Sequence, residues 1–256
     1  MIDTRPAVLV TGGAKRLGAA IARAFGAADW HVVLHYGSSR AEAEALASDL
    51  PSAETMQCDL ADGSAAVAMI AELADRLPDW RALVNCAAIF EPDDVTGLDP
   101  ATNARSMQIN ATTPARMAQA YLAKARAKSG RRVVQLTDQK IANPNPDFFS
   151  YTMSKHALAS TVPMLAMGAA TMADRVYALA PGAILASHDQ REEETEVSHR
   201  MNLLHRQTRP EEVAQAALFL AQGHLASGQM LYCDSGQHLL SQPRDVIYLA
   251  REEHRT

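Results

Sequence analysis

Short apolar runs alternate along the whole chain with longer stretches in which apolar residues recur every three or four positions. The first run, residues 7–11 (Ala-Val-Leu-Val-Thr), stops at a glycine pair. Leu17, Ala20, Ile21, Ala24 and Phe25 follow at helical spacing and mark one buried helix face. Further strands are predicted over 31–36, 54–58, 82–85, 133–137, 175–179 and 229–233. Helices are predicted over 40–50 and 63–77, stopped by Pro51 and Pro78, with a long one over about 100–128. The strands are apolar at successive rather than alternate positions, which requires cover on both faces and so a parallel sheet. Right-handed crossovers then give one α/β domain, doubly wound, with a mostly parallel seven-stranded sheet.

No repeat, linker or low-complexity stretch divides the chain, so residues 1–240 form the domain and 241–256 a C-terminal tail that packs on a neighbouring subunit or frays. Residues 188–204 are charged and polar, with Arg191-Glu-Glu-Glu in the middle, and follow the sixth strand. Ligands bind past the carboxyl end of such sheets, so this segment is either a mobile substrate cover or an ordinary solvated helix.

Composition narrows the function class. A net charge of −5 gives no reason to expect nucleic acid or a membrane surface as partner. Basic clusters such as Arg131–Arg132 bracket a helix end and a strand start, where a solvated face explains them. Cys58, Cys86 and Cys233 are widely spaced and suggest neither disulfides nor a metal site, so a cytoplasmic location is expected. The beginning shows no signal-peptide pattern, and no apolar run approaches the roughly 20 residues of a membrane span. A small molecule is the expected partner.

Residues 11–18 (Thr-Gly-Gly-Ala-Lys-Arg-Leu-Gly) join the first strand to the first helix. Glycines there let the backbone approach a pyrophosphate, and the helix N-terminus offers unpaired N–H groups, the Rossmann solution for a dinucleotide. Gly12, Lys15, Arg16, Leu17 and Gly18 are the candidates in this loop. Arg16 stands where the commoner loop has glycine, and the second strand ends in His35, Tyr36, Gly37, Ser38, Ser39 and Arg40, with no acid until Glu42. An NAD site usually places an acid there for the ribose hydroxyl, whereas arginine accommodates a 2′-phosphate. Arg16, Ser38, Ser39 and Arg40 supply charge and hydroxyls for it, and the expected cofactor is NADPH. Asp59 and Leu60, after the third strand, suit an adenine ring; Asn85 and Ala87, at the end of the fourth, allow close packing around the cofactor. An Asp in such a place is also an ordinary helix cap.

Tyr151 and Lys155 stand four residues apart on one helix and therefore share a face. An ammonium beside a phenol favours the phenolate and lowers its pKa, preparing proton transfer. By itself such a pair is also common on helix surfaces. Taken with the glycine loop, Asn85-Cys-Ala, Asn110 and Pro181-Gly182, in this order and at these intervals, it resembles the short-chain dehydrogenase/reductase family over roughly residues 6–240. The resemblance implies that Tyr151 transfers the proton, that Lys155 tunes it and holds the nicotinamide ribose, and that Asn110 supports a water relay. It implies further cofactor contacts at Pro181, Gly182 and Ile184, and a homotetramer built through the long fourth and fifth helices.

One departure is informative. The family usually has serine thirteen residues before the tyrosine, and here that residue is Asp138. A carboxylate at this place can hold or relay a proton, or bond its own turn. Asp138 with the Lys15-Arg16-Leu17-Gly18 loop, the His35-Tyr36 strand end and Phe90 resembles the pteridine and dihydromonapterin reductases. That implies hydride transfer from NADPH to a ring C=N carbon of a dihydropterin lying between nicotinamide and Phe90, with Asp138 and Tyr151 on the proton side. Phe90 reads equally as core packing. Ala88 and Ile184 stand where those enzymes tend to carry serine, and Ala186 replaces a usual hydroxyl residue. The segment 143–149, with two prolines and two aromatics, shapes a pocket wall or is a stiff loop. A carbonyl reductase and an NADPH-binding sensor that no longer turns over are the competing readings.

Overall fold

The computed structural model describes residues 5–187 and 190–253. Seven strands, β1 (Ala7–Val10), β2 (His31–Tyr36), β3 (Ala53–Gln57), β4 (Trp80–Asn85), β5 (Arg132–Leu136), β6 (Arg175–Pro181) and β7 (Met230–Cys233), form one sheet in the order β3-β2-β1-β4-β5-β6-β7. Every neighbouring pair is parallel. Successive strand residues enter opposite cores, as the sequence pattern requires: Leu9, Leu83 and Val133 join one apolar cluster, and Val8, Val10, Ala82, Val84 and Val134 the other. The first cluster is closed by α3 (Gly63–Arg76), α5 (Thr113–Lys124) and α6 (Phe149–Gly168), the second by α1 (Arg16–Ala27), α2 (Arg40–Asp49) and α8 (Pro210–Gln222). No described helix is long and apolar enough to cross a membrane.

Three expectations change. The single helix over 100–128 is α4 (Pro100–Met107), a π-helical turn over Gln108–Thr112, and α5. The turn inserts where Asn110 leaves the helix register to bond the backbone of Ile89, and such bulges often mark functional places. Residues 192–198 form α7 (Glu192–Ser198), which buries Glu194 and Ser198 and so is more than a solvated helix. The tail forms α9 (Val246–Glu253), which buries Val246, Ile247 and Ala250 within its own chain. It packs beside α7, where Arg251 reaches Glu194 at 3.4 Å, while its apolar face meets Phe148 and Tyr151 through Ile247.

Candidate active site

The carboxyl ends of β1, β4, β5 and β6 converge on one trough. At the end of β1 the Thr11 hydroxyl accepts from Cys86 N and Ala87 N at 2.9 and 3.0 Å, stitching the turn to β4. Gly12 has φ +64°, and a Cβ on Gly18 would stand 2.1 Å from the Gly12 carbonyl oxygen, so α1 starts directly against the turn. Gly12, Lys15, Arg16, Leu17, Gly18, Tyr36, Ser39 and Ala87 line a cavity of about 330 Å³, with Ala14, Gly37, Cys86 and Ala88 added by the structure. A cradle that any Cβ would fill, at a helix start, fits a dinucleotide phosphate.

Charge around this trough is distributed differently from the sequence reading. Lys15 pairs with Glu42 at 2.5 Å, and Arg40 lies 5.7 Å above the Tyr36 ring and 3.4 Å from Glu44. The Arg16 guanidinium crosses the trough and donates to the Ala186 carbonyl at 2.7 Å. Ser38, Arg40 and Asp59 are exposed outside the cavity wall, and the Asp59 carboxylate bonds Ala61 N in a local turn. Leu60 is buried and its carbonyl accepts from Thr113. Asn85 is buried too, with its amide donating to Pro114 O and Gln135 Oε1, so it fastens β4 to β5 instead of facing the trough.

His35 is corrected from a cofactor contact to a brace. It is 2% exposed; its Nδ1 accepts from Gly12 N at 3.1 Å, which fixes the proton on Nε2, 3.0 Å from the Cys58 carbonyl. Burial lowers its pKa from 6.5 to about 4, against the pull of the Cys58 carbonyl. The unfolded chain therefore takes up a proton as pH falls below about 6.5, which the folded chain refuses until near 4. Stability is present above that window and lost within it, by roughly 3 kcal/mol. Urea midpoints at about pH 7.5 and 4.5 should fall further for the native protein than for His35→Gln; parallel losses would refute the brace's titration.

Across the trough, α6 presents Tyr151 and Lys155. Tyr151 Oη donates to Asp138 Oδ2 at 2.7 Å, while the other carboxylate oxygen accepts Lys140 N at 2.8 Å. Asp138 therefore makes the turn bond read for it and also accepts the Tyr151 hydroxyl. Lys155 Nζ donates to the Leu136 carbonyl at 2.7 Å and lies 5.6 Å from the Tyr151 ring centre. The expected lowering of the tyrosine pKa is reversed: burial, reinforced by Asp138, pushes the phenol well above its ordinary value. Burial raises the Asp138 carboxyl as well and lowers the Lys155 ammonium, each partly opposed by the other's charge. Asn110, fully buried, donates to Ile89 O and Ser154 Oγ at 2.9 and 3.1 Å and accepts from Ile89 N, so its whole amide positions the segment leading to Phe90.

These groups border a second cavity of about 290 Å³, continuous with the first through shared Arg16, Leu17, Cys86 and Ala88. Phe90, Pro181, Gly182 and Ile184 line it. Phe90 stacks on Phe148 at 3.9 Å and meets the Tyr151 ring edge-on at 4.7 Å, so Phe148 backs the wall from behind while no residue of 143–149 lines this cavity itself. Sequence reasoning missed the outer wall: Lys140, Ser198, His199, Asp245, Val246 and Ile247. His188 and Asp189, within the segment weighed as a cover, lie outside the described residues, but Ser198 and His199 bring that segment over the cavity.

A family model described as enoyl-(acyl carrier protein) reductase matches residues 12–238. Pteridine reductase 1 of Leishmania tarentolae is 28% identical over 281 residues, covering 92% of this chain and 97% of that protein. The structure of FolM alternative dihydrofolate reductase 1 from Brucella canis, complexed with NADP, is 32% identical, with a TM-score of 0.87 over 96% of this chain and 98% of that one. Its counterpart from Brucella suis, also with NADP, is 33% identical with a TM-score of 0.86, over 94% and 98%. Similarity that runs through the glycine turn, the whole sheet and the helix carrying Tyr151 and Lys155 leaves one conclusion: the chain belongs to the short-chain dehydrogenase/reductase family of oxidoreductases.

Proposed function

We propose that this oxidoreductase is an NADPH-dependent pterin reductase, acting on a ring C=N bond of a dihydropterin. The hydrogen bond from Tyr151 to Asp138 at 2.7 Å carries the reading, because it sets two proton-holding groups beside one aromatic-walled cavity. The fit for a dinucleotide rests on the Gly12–Gly18 cradle, and the two NADP-bound relatives support the choice of cofactor. Gly12, Lys15, Arg16, Leu17, Gly18, Tyr36, Ser39 and Ala87 would hold its phosphates and ribose, with Ser38 and Arg40 at the 2′-phosphate end. Lys155, Pro181, Gly182 and Ile184 would hold the nicotinamide end. NADPH supplies a hydride when bound.

The protein's own task is then to place the pterin flat and deliver a proton to the ring nitrogen beside the carbon that is reduced. Phe90 offers a ring for stacking. Tyr151 Oη is the proton donor, Asp138 holds the next proton in line, and Lys155 balances the Asp138 charge. Asn110 fixes Phe90 through Ile89. Exposed Met153, Met164 and Met167 on α6, at 41%, 57% and 79%, support a homotetramer, and a cytoplasmic location completes the reading.

NADPH oxidation is the test, with dihydropterins, dihydrofolate and a panel of ketones. Pterin turnover is expected, and Asp138→Ser should reduce it about 10²-fold while NADPH fluorescence quenching persists. Ketone turnover without pterin turnover would replace the reading with a carbonyl reductase. Tight NADPH binding with no turnover at all would favour a sensor.

A further inference from the structure

We propose that His199, which ends the helix bordering the cavity, is a substrate-binding residue that recognises an uncharged hydroxyl on the C6 substituent of the pterin. The inference rests on the pterin reading above and adds the chemistry of the group beyond the ring. His199 follows α7, is 3% exposed and borders the 290 Å³ cavity. Its backbone is satisfied, N–H to the Thr195 carbonyl and carbonyl to the Asn202 amide. Its ring nitrogens form no hydrogen bond to any of the described residues.

The ring nitrogens are not among the sealed, partnerless atoms of the described residues, so they remain open to the cavity, where a ligand or water can complete them. Its polar neighbours on the cover are already occupied: Ser198 Oγ donates to Thr195 O and accepts from Gln190, whose own oxygen accepts Ser187 N. Lys140 and Asp245 on the facing wall pair with each other at 2.6 Å. His199 is also held in place. Glu194 on the same helix takes Arg191 and Arg251, and the second of these pins α7 to α9, whose Val246 and Ile247 border the same cavity.

The ring's chemistry selects the ligand group. Burial lowers the pKa of His199, so the ring is neutral and offers one N–H donor and one acceptor. A hydroxyl can donate to the one nitrogen or accept from the other, whereas a carboxylate can use only the donor. The reduced carbon of a dihydropterin bears the C6 substituent. With the ring nitrogen at Tyr151, that substituent leaves the reaction centre toward the remaining open wall, which the cover supplies.

The test compares dihydrobiopterin, whose C6 chain carries hydroxyls, with 6-methyl-dihydropterin, which has none. The native enzyme should favour the hydroxylated compound by roughly five- to tenfold in kcat/KM, mostly through KM, as expected for one neutral hydrogen bond. In His199→Leu that ratio should collapse to about one, and His199→Gln, which keeps a donor and an acceptor, should restore part of it. His199→Phe gives the same reading should the leucine variant not fold. An intact ratio in His199→Leu, as expected if the imidazole bonds only ordered water, overturns the assignment while the pterin reading stands. A native enzyme that reduces neither pterin overturns both.

Discussion

Tyr151→Phe is expected to keep its fold and its NADPH and to lose about 10²–10⁴-fold in kcat, the usual contribution of a positioned general acid. The phenylalanine ring can retain the contacts with Phe90 and the Lys155 ammonium, so the loss isolates the hydroxyl that now donates to Asp138. A kcat within tenfold of the native value would remove Tyr151 from the chemistry. The same pair fixes the sign of a pH effect. Because burial and Asp138 both push the phenol upward, the native enzyme should keep its donor proton through neutral pH and lose no activity to tyrosine ionisation below about pH 10. Asp138→Asn removes the second of those pushes, so its alkaline loss should begin at lower pH than in the native enzyme. Full pH profiles of kcat/KM would show it, read as the titration of a coupled pair.

The sheet was legible in the sequence because strands buried on both faces must be apolar at successive positions, and no other arrangement of such strands hides them. The glycine loop and the Tyr151–Lys155 pair were legible for a related reason, since short-range spacing sets their geometry. What escaped depends on contacts between distant residues. His35 looked like a cofactor ligand at a strand end, and only the bond its Nδ1 accepts from Gly12 N, across 23 residues, shows it holding the loop from behind, with its other nitrogen anchored on the Cys58 carbonyl. Arg16 looked free for a phosphate until its reach to Ala186, 170 residues away, was in view. Phenol acidity was misjudged because spacing brings an ammonium near but says nothing of burial, which dominates here. The tail read as a contact with a neighbouring subunit or a fraying end for the same reason. Its amphipathic helix carries no sign of where it docks, and the side chains that receive it lie about a hundred residues earlier.

Those receiving side chains make the tail the second large effect. Lys140 Nζ and Asp245 Oδ2 are 2.6 Å apart with side chains only 5% and 7% exposed, and the neighbouring Arg244 pairs with Asp147 at 2.8 Å. Asp245→Ala leaves a buried ammonium with only the Asn145 and Asp147 oxygens as acceptors, so it should lower the unfolding free energy by about 3 kcal/mol, the lower end for breaking a buried pair. The residue has a second role, since its other oxygen accepts Ile247 N at 3.0 Å and caps α9. Lys140→Met/Asp245→Asn keeps the cap and removes both charges, and should recover most of the loss. Urea midpoints of the three proteins decide this, and equal losses in the single and double variants would refute it. Substrate KM should rise in Asp245→Ala, because Val246 and Ile247 line the cavity beside it, while KM for NADPH should hold, because none of the three residues borders the trough at the glycine turn. A tail that moved both constants together would instead mean that α9 supports the whole carboxyl edge of the sheet rather than the substrate wall alone.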